Sequence, residues 1–218
     1  MEKTHDVESS MVPGLLENEE QKLVGVRCRY ERAMQYLAAH GKKSVLDLGC
    51  SAGYGSSLMS SRGFRVCGID RNRKSIELAK KRYPGIDFRA ADGGSVMKKK
   101  YDAVVALDVI EHMDNHRETI EKWLGMLGPG GLLIISTPNF KYSKCRNRFH
   151  KKEFTIGEIR EMFPGAVVEG FDWHYMTTKP VTMFFGGAAA TRFRMFFNCL
   201  ARRLPSFSNT FFIVARKP

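Results

Sequence analysis

The sequence predicts an α/β fold in which a doubly wound, mostly parallel sheet carries helices on both faces. Three observations lead there. Short apolar runs ending near an acid alternate with amphipathic stretches between residues 44 and 137, the pattern of strands joined by crossover helices. The first run, Val45-Leu46-Asp47-Leu48, passes through Gly49-Cys50-Ser51-Ala52-Gly53-Tyr54-Gly55 into Ser56-Ser57-Leu58-Met59. Glycines there let the chain turn tightly and let backbone approach a ligand without Cβ interference. The second run, Arg65-Val66-Cys67-Gly68-Ile69-Asp70, closes on an acid about 20 residues beyond the loop, the spacing an acidic partner for ribose hydroxyls needs. A strand, glycine loop and helix of this kind present a nucleotide site at the carboxyl ends of an open sheet.

Taken in order, residues 1–20 are polar and acidic with Pro13-Gly14 and are expected to form a flexible segment or lid. Residues 21–218 then make a single domain. From Gln21 to His40, Val26, Tyr30, Ala33, Met34 and Leu37 recur at helical steps. A helix over 54–62 follows the glycine loop and offers free N–H groups at its start. Ile76, Ala79 and Tyr83 stripe a helix from Arg73 to Tyr83 that Pro84-Gly85 ends. Ala90-Ala91-Asp92-Gly93 puts an acid after a third short strand. Tyr101 to Asp108 gives a fourth, followed by Val109-Ile110-Glu111-His112. His116 to Leu127 reads as a helix with Ile120, Trp123, Leu124 and Leu127 toward the sheet. Gly128-Pro129-Gly130-Gly131 introduces a fifth strand, Leu132 to Thr137, which Pro138 stops. A basic loop, Phe140 to Lys152, leads to a short helix from Glu153 to Phe163. Val167–Phe171 and Phe211–Ala215 supply the last strands.

Leu-Asp-Leu-Gly-Cys-x-x-Gly at 46–53, Gly-Ile-Asp at 68–70, Asp-Val-Ile-Glu-His at 108–112 and Gly-Pro-Gly-Gly at 128–131 together resemble the class I S-adenosylmethionine-dependent methyltransferases. The likeness covers roughly residues 30 to 140. It implies a Rossmann-like sheet of seven strands, the last antiparallel and inserted beside strand five. It also implies S-adenosyl-L-methionine as cofactor and S-adenosyl-L-homocysteine as product. The cofactor-binding residues it implies are Asp47, Gly49, Ser51, Gly53, Asp70, Arg71, Asp92, Gly93, Asp108 and Val109, with Asp70 on the ribose and Asp92 near the adenine amino group. Arg27 and Tyr30 on the leading helix are implied near the methionine carboxylate, or else serve only to pack that helix. Ser51 stands where the family usually has glycine.

Hydrophobic residues make up 43% and charged residues 27% of the 218, the values of an ordinary globular protein. No stretch reaches the ~18 apolar residues of a bilayer span, and the polar amino terminus lacks a signal peptide's apolar core. Five cysteines without C-x-x-C spacing indicate neither a disulfide framework nor a thiolate zinc site. A cytoplasmic location is expected, with peripheral membrane contact as an addition. The net charge is 35 − 23 = +12, which suits a phosphorylated small molecule, an anionic membrane face or nucleic acid, although no RNA-recognition signature is present. Pro180 to Leu204 adds an aromatic–basic stretch, with Phe193, Phe196, Phe197, Leu200 and Leu204 on one helical face. It suits membrane or acceptor contact, or simple packing. Segments 140–152 and 179–209 are the expected acceptor-side or cap insertions.

A sulfonium methyl is already activated, so the protein's task is to hold an acceptor in line and remove its proton where one must leave. The groups placed just past strands four and five are Asp108, Glu111, His112, Asn139, Tyr142 and His150. His112 titrates near neutrality and is the first candidate base, with Glu111 and His150 as its companions in the catalytic set. No metal is expected. The alternative is a divalent cation on Asp108, Glu111, His112 and His150, since the motifs also resemble small-RNA 2′-O-methyltransferases and quinone-biosynthesis catechol O-methyltransferases. The expected reaction is methyl transfer to an oxygen or nitrogen of a small-molecule, sugar or lipid-linked acceptor. The alternatives are an RNA methyltransferase, an RNA-binding protein or an inactive cofactor-binding subunit, and the oligomeric state is not indicated.

Overall fold

A computed structural model of the chain describes residues 16–93, 99–173 and 202–218. Seven strands form one sheet: β1 (Ser44–Leu48), β2 (Arg65–Asp70), β3 (Asp87–Ala90), β4 (Tyr101–Leu107), β5 (Leu127–Pro138), β6 (Val167–Trp173) and β7 (Ser208–Arg216). Their spatial order is β3-β2-β1-β4-β5-β7-β6. All neighbouring pairs are parallel except those of β7, which runs antiparallel to both β5 and β6. The winding reverses between β1 and β4, so the loops leaving these strands part and open a crevice at their carboxyl ends.

Among the described residues, six helices accompany the sheet: α1 (Leu16–Ala39), α2 (Tyr54–Ser61), α3 (Arg73–Arg82), α4 (His116–Gly125), α5 (Phe140–Ser143) and α6 (Ile156–Met162). Strand β4 shows why both faces are covered. Ala103 and Val105 pack with Tyr30, Ala33, Met34 and Leu37 of α1, whereas Val104 and Ala106 pack with Ile120 and Trp123 of α4 and Ile159 of α6. Alternate residues of a strand point to opposite faces, and all four are fully buried. Each large side chain sealed this way contributes about 1.5–3 kcal/mol. Arg32 of α1 pairs with Glu169 of β6 at 2.5 Å, and Tyr36 donates to the same carboxylate at 2.8 Å. The first helix is thereby clamped to the far edge of the sheet.

Several boundaries differ from expectation. Helix α1 begins at Leu16, upstream of the expected start at Gln21 and within the 1–20 flexible segment or lid; Glu17, Glu19, Glu20 and Gln21 are good helix formers that extend it upstream. Residues 1–15 lie outside the described residues. Helix α6 starts at Ile156 rather than Glu153, because Thr155 and Glu158 form a reciprocal capping box. The basic loop 140–152 opens on the short helix α5, capped by Asn139. Helix α4 stops at Gly125, and Leu127 already belongs to β5. Of the expected insertion 179–209, residues 179–201 lie outside the described residues. Pro205–Phe207 form a 3-10 turn and Ser208 begins β7.

Candidate active site

The glycine loop is built from below. Asp47, the penultimate residue of β1, has no exposed surface and accepts from the Ser56 hydroxyl at 2.6 Å and the Tyr30 hydroxyl at 3.0 Å. Burial pushes its pKa up to about 7, and these two donors only partly offset that. Burial also lifts the Tyr30 phenol well above its usual value. The Tyr30 ring lies over Gly55, where an added Cβ would come within 1.9 Å of it. Tyr30 and Asp47 therefore knit α1, β1 and α2 together beneath the loop, and Arg27 pairs with Glu31 on the exposed side of α1.

Above them, Gly49 (φ 71), Ser51 (φ 48) and Gly53 (φ 84) all take left-handed backbone. A Cβ on Gly49 would sit 2.5 Å from Val109 Cγ2, and one on Gly53 would sit 2.7 Å from Phe88 Cζ. Ser51 holds a conformation costly for a side-chain-bearing residue, and its N–H donates to Asp70 Oδ2 at 2.9 Å. Asp70 Oδ1 accepts from the Asn72 amide at 2.8 Å. The half-buried Asp70 at the tip of β2 thus anchors the loop at the position where serine replaces glycine.

Across the crevice, Asp108 (φ 56) directly follows Leu107, the last residue of β4. Its carboxylate accepts from Arg29 Nη2 at 2.5 Å and from the Ser136 hydroxyl at 2.8 Å. A 3-10 turn over Ile110–His112 follows and sends Glu111 inward and His112 outward. Glu111 is wholly buried and accepts from the Thr137 hydroxyl at 3.1 Å. Burial, reinforced by the charge of Asp108, pushes its carboxyl well above the usual carboxylate range. Its Oε1 has no hydrogen-bond partner among the described residues.

The segment 144–153 folds back onto this turn, the amides of Lys151 and Lys152 donating to the Glu111 carbonyl. His112 Nδ1 lies 3.0 Å from the Phe149 carbonyl. A carbonyl can only accept, so Nδ1 carries the hydrogen and a neutral ring leaves Nε2 as an acceptor. Burial lowers the pKa of His112, which favours that neutral form. His150 packs edge-on to His112, with centroids 4.9 Å apart. Its Nδ1 meets Glu153 at 2.6 Å and its Nε2 meets the Asn147 amide at 2.9 Å. Burial alone would raise the Glu153 pKa, but donation from the Ser143 hydroxyl, the His150 ring and the Cys145 amide holds it down.

The expected residues therefore separate into groups. Glu111, His112 and His150 come together, each with a ligand atom within 4.8 Å of the others, while the Asp108 carboxylate turns to Arg29 and Ser136. Asn139 bonds the Ser208 carbonyl and the Lys141 amide, and the Tyr142 hydroxyl donates to the Ser206 carbonyl. Both brace the strand-five exit. Asp92 is exposed beyond β3, and the neighbouring Gly93 carbonyl accepts from Trp123 Nε1 at 2.7 Å. Arg71 is exposed, and its charge acts on His112. Sequence reasoning did not single out Arg29, Ser56, Ser136, Thr137, Asn147 or Glu153. Arg29 was detectable, since it falls three residues after Val26 and four before Ala33, on the apolar stripe of α1.

The donor set fits an adenosine-bearing sulfonium amino acid. Asp70, at the tip of β2, has lone pairs beyond those that hold the Ser51 and Asn72 amides and would suit ribose hydroxyls, and a Cβ at Gly93 would meet nothing within 4 Å. The first intrahelical bond of α2 runs from the Ser57 amide to the Gly53 carbonyl, leaving the amides before it for a carboxylate.

A family model described as a methyltransferase domain matches residues 24–178. A probable S-adenosylmethionine-dependent methyltransferase of Mycolicibacterium smegmatis is 32% identical over 149 residues, 65% of this chain and 58% of that protein. A ubiquinone biosynthesis O-methyltransferase of Bradyrhizobium diazoefficiens is 33% identical over 118 residues, 51% of this chain and 47% of that protein. The matched region thus spans about half the length of these curated relatives. Among solved structures, a SAM-dependent methyltransferase from Archaeoglobus fulgidus is 20% identical with TM-score 0.63, covering 90% of this chain and 94% of that one. The N-methyltransferase NodS from Bradyrhizobium japonicum, bound to S-adenosyl-l-homocysteine, is 18% identical with TM-score 0.58, covering 88% and 87%. On the family match, and with the strand order and glycine loop described above, the chain belongs to the methyltransferase-domain family of class I S-adenosylmethionine-dependent enzymes.

Proposed function

We propose that this chain transfers a methyl group from S-adenosyl-L-methionine to an oxygen or nitrogen of a small-molecule, sugar or lipid-linked acceptor. The observation that supports it is the placement of His112. Its ring is fixed through Nδ1 on the Phe149 carbonyl, and its Nε2 is left to accept a proton beside the carboxyl end of β4. The cofactor supplies an electrophilic methyl that needs no further activation. The chain's residues do the rest. Asp70 and the start of α2 hold the cofactor's two ends, Val109 covers the glycine loop, and His112 takes the acceptor's proton.

Labelled cofactor offered with a panel of phenols, catechols, amines, sugars and polyprenyl-linked acceptors tests this. His112→Gln should cut transfer by about a hundredfold or more while calorimetric affinity for the cofactor product stays unchanged. Full activity in that variant removes the base assignment. Asp70→Ala should abolish cofactor binding, and retained affinity removes the ribose assignment.

A second reading has its own support. Glu111, His112 and His150 lie within ligand distance of one another, and the Nδ1 atoms of both rings are held by outer oxygens. That is how imidazoles are oriented toward a metal, although His150 Nε2 would have to leave the Asn147 amide to bind an ion. Under the first reading a chelator leaves transfer intact. Activity lost to EDTA and restored by Mg²⁺ or Mn²⁺ would favour the cation, and with it an acceptor carrying neighbouring hydroxyls, an RNA 3′ end among them. Steep weakening with salt would mark the RNA.

A further inference from the structure

We propose that the sheet edge carrying the candidate site is also a docking surface for an anionic lipid bilayer. The proposal rests on the surface alone and stands apart from the acceptor and base assignments above.

Three segments emerge at this edge. Helix α5 and the loop to Lys152 leave the carboxyl end of β5. The turn before β7 lies there too, because β7 is antiparallel and pairs Thr210 with Pro138. The 3-10 turn at Ile110–His112 leaves β4 beside them, joined to the loop through the Glu111 carbonyl. Among the described residues, four of the five exposed large hydrophobic side chains sit on these segments: Phe140, Phe149, Leu204 and Phe207, each 40–43% exposed. The fifth, Val167, pairs with Val214 at the start of β6, toward the opposite edge. Phenyl and leucyl groups placed together at one rim are costly to leave in water.

The same segments are strongly cationic. Residues 140–152 hold Lys141, Lys144, Arg146, Arg148, Lys151 and Lys152 and no acid. Lys151 pairs with Asp114, and Lys152 with Glu158 at 2.9 Å. No carboxylate pairs with Lys141, Lys144, Arg146 or Arg148 among the described residues. Apolar rings flanked by such cations match the interface of an anionic bilayer, where rings enter the headgroup boundary and the charges meet lipid phosphates.

The cations also argue against other occupants. Lys141 Nζ lies 5.2 Å from the Phe207 ring centre, and the Arg148 guanidinium 4.8 Å from that of Phe149. A ring face covered by a cation is closed to a stacking base, and Leu204 cannot stack at all. A second copy would bring like charges together. No helix among the described residues is long and apolar enough to cross a membrane, so the contact is interfacial.

Flotation of the full chain with vesicles of phosphatidylcholine, with and without phosphatidylglycerol, is the test. Binding is expected only where phosphatidylglycerol is present. Each of Lys144→Glu and Arg148→Glu should weaken it at least about fivefold. Phe149→Ser with Phe207→Ser should weaken it further, with calorimetric affinity for S-adenosyl-L-homocysteine unchanged in every variant. In the unaltered protein, vesicles should slow amide hydrogen exchange within 140–150 and 204–208. Equal binding to neutral vesicles, no binding to either, or protection elsewhere overturns the proposal. So does poly(U) binding at this face that survives the two phenylalanine substitutions and displaces the vesicles, an outcome that assigns the surface to RNA.

Discussion

Replacing Asp47 with Asn should stabilise the protein at neutral and higher pH and do little in acid. The carboxylate is sealed near the end of β1 with two donors, Tyr30 at 3.0 Å and Ser56 at 2.6 Å, and burial lifts its pKa to about 7. In the unfolded chain an aspartate releases its proton near pH ~4. Between about pH 4 and pH 7 the unfolded state has lost this proton and the folded state retains it. Stability therefore falls as pH rises through that window. A thousandfold difference in proton affinity is about 4 kcal/mol, fully present above pH ~7 and absent below pH ~4. Asn has nearly the same shape and no charge, and its amide can accept from Tyr30 while donating to Ser56. The variant's unfolding free energy relative to the original chain, from urea melts, should therefore climb by up to about 4 kcal/mol between about pH 4 and pH 8. Other titrating groups cancel in that difference. A pH-independent difference would refute the claim that a buried proton is held here.

Three further outcomes are expected. Gly49→Ala forces a left-handed φ and a contact of 2.5 Å on Val109; it should destabilise by about 2–3 kcal/mol and weaken cofactor binding, and Val109→Ala in the same chain should recover the steric part, as thermal melts and calorimetry can check. Arg29→Met strips Asp108 of its cation, but that carboxylate is 38% exposed and water compensates in part, so about 1–2 kcal/mol should be lost, with Asp108→Asn non-additive in a double-mutant cycle. Thr155→Ala removes one half of the capping box on α6 and should cost about 1 kcal/mol, seen as a lower urea midpoint with an unchanged slope.

The sheet was legible because its cause is local. Runs such as Val104-Val105-Ala106 are apolar on both faces, which only a strand covered on each side requires, and Gly128-Pro129 and Pro164-Gly165 punctuate the elements between. The antiparallel final strand came from family likeness, since nothing in Phe211–Ala215 states a direction. The site was legible by residue type and less so by role. The pattern marks Asp47 beside a glycine loop, but its enclosure by Tyr30 and Ser56 depends on how α1 crosses the sheet. The need for Gly49 arises from Val109, 60 residues downstream and brought close only by the β1–β4 pairing. Glu153 belongs by sequence to the start of a helix. The Thr155 cap excludes it from α6 and frees it to hold His150.

Under the proposed function, the two acids that follow β4 bear on which acceptor the crevice would receive. Asp108 has a cation and a hydroxyl against it and remains partly in water, whereas Glu111, three residues on, is buried with one hydroxyl donor. With its pKa raised, Glu111 retains a proton more readily than a free glutamate does, and the neutral form of His112 is likewise favoured. Without a cation, the proposed acceptor side then carries less negative charge at Glu111 and less positive charge at His112 than free side chains would, and Asp108 is paired with Arg29. On the proposed mechanism, such a surface would suit a neutral or anionic acceptor whose proton passes to His112 Nε2. A cation would reverse the logic, because Glu111 must ionise to ligate it. The same two side chains thus separate the two proposed chemistries by a proton, which the chelator experiment reads out directly.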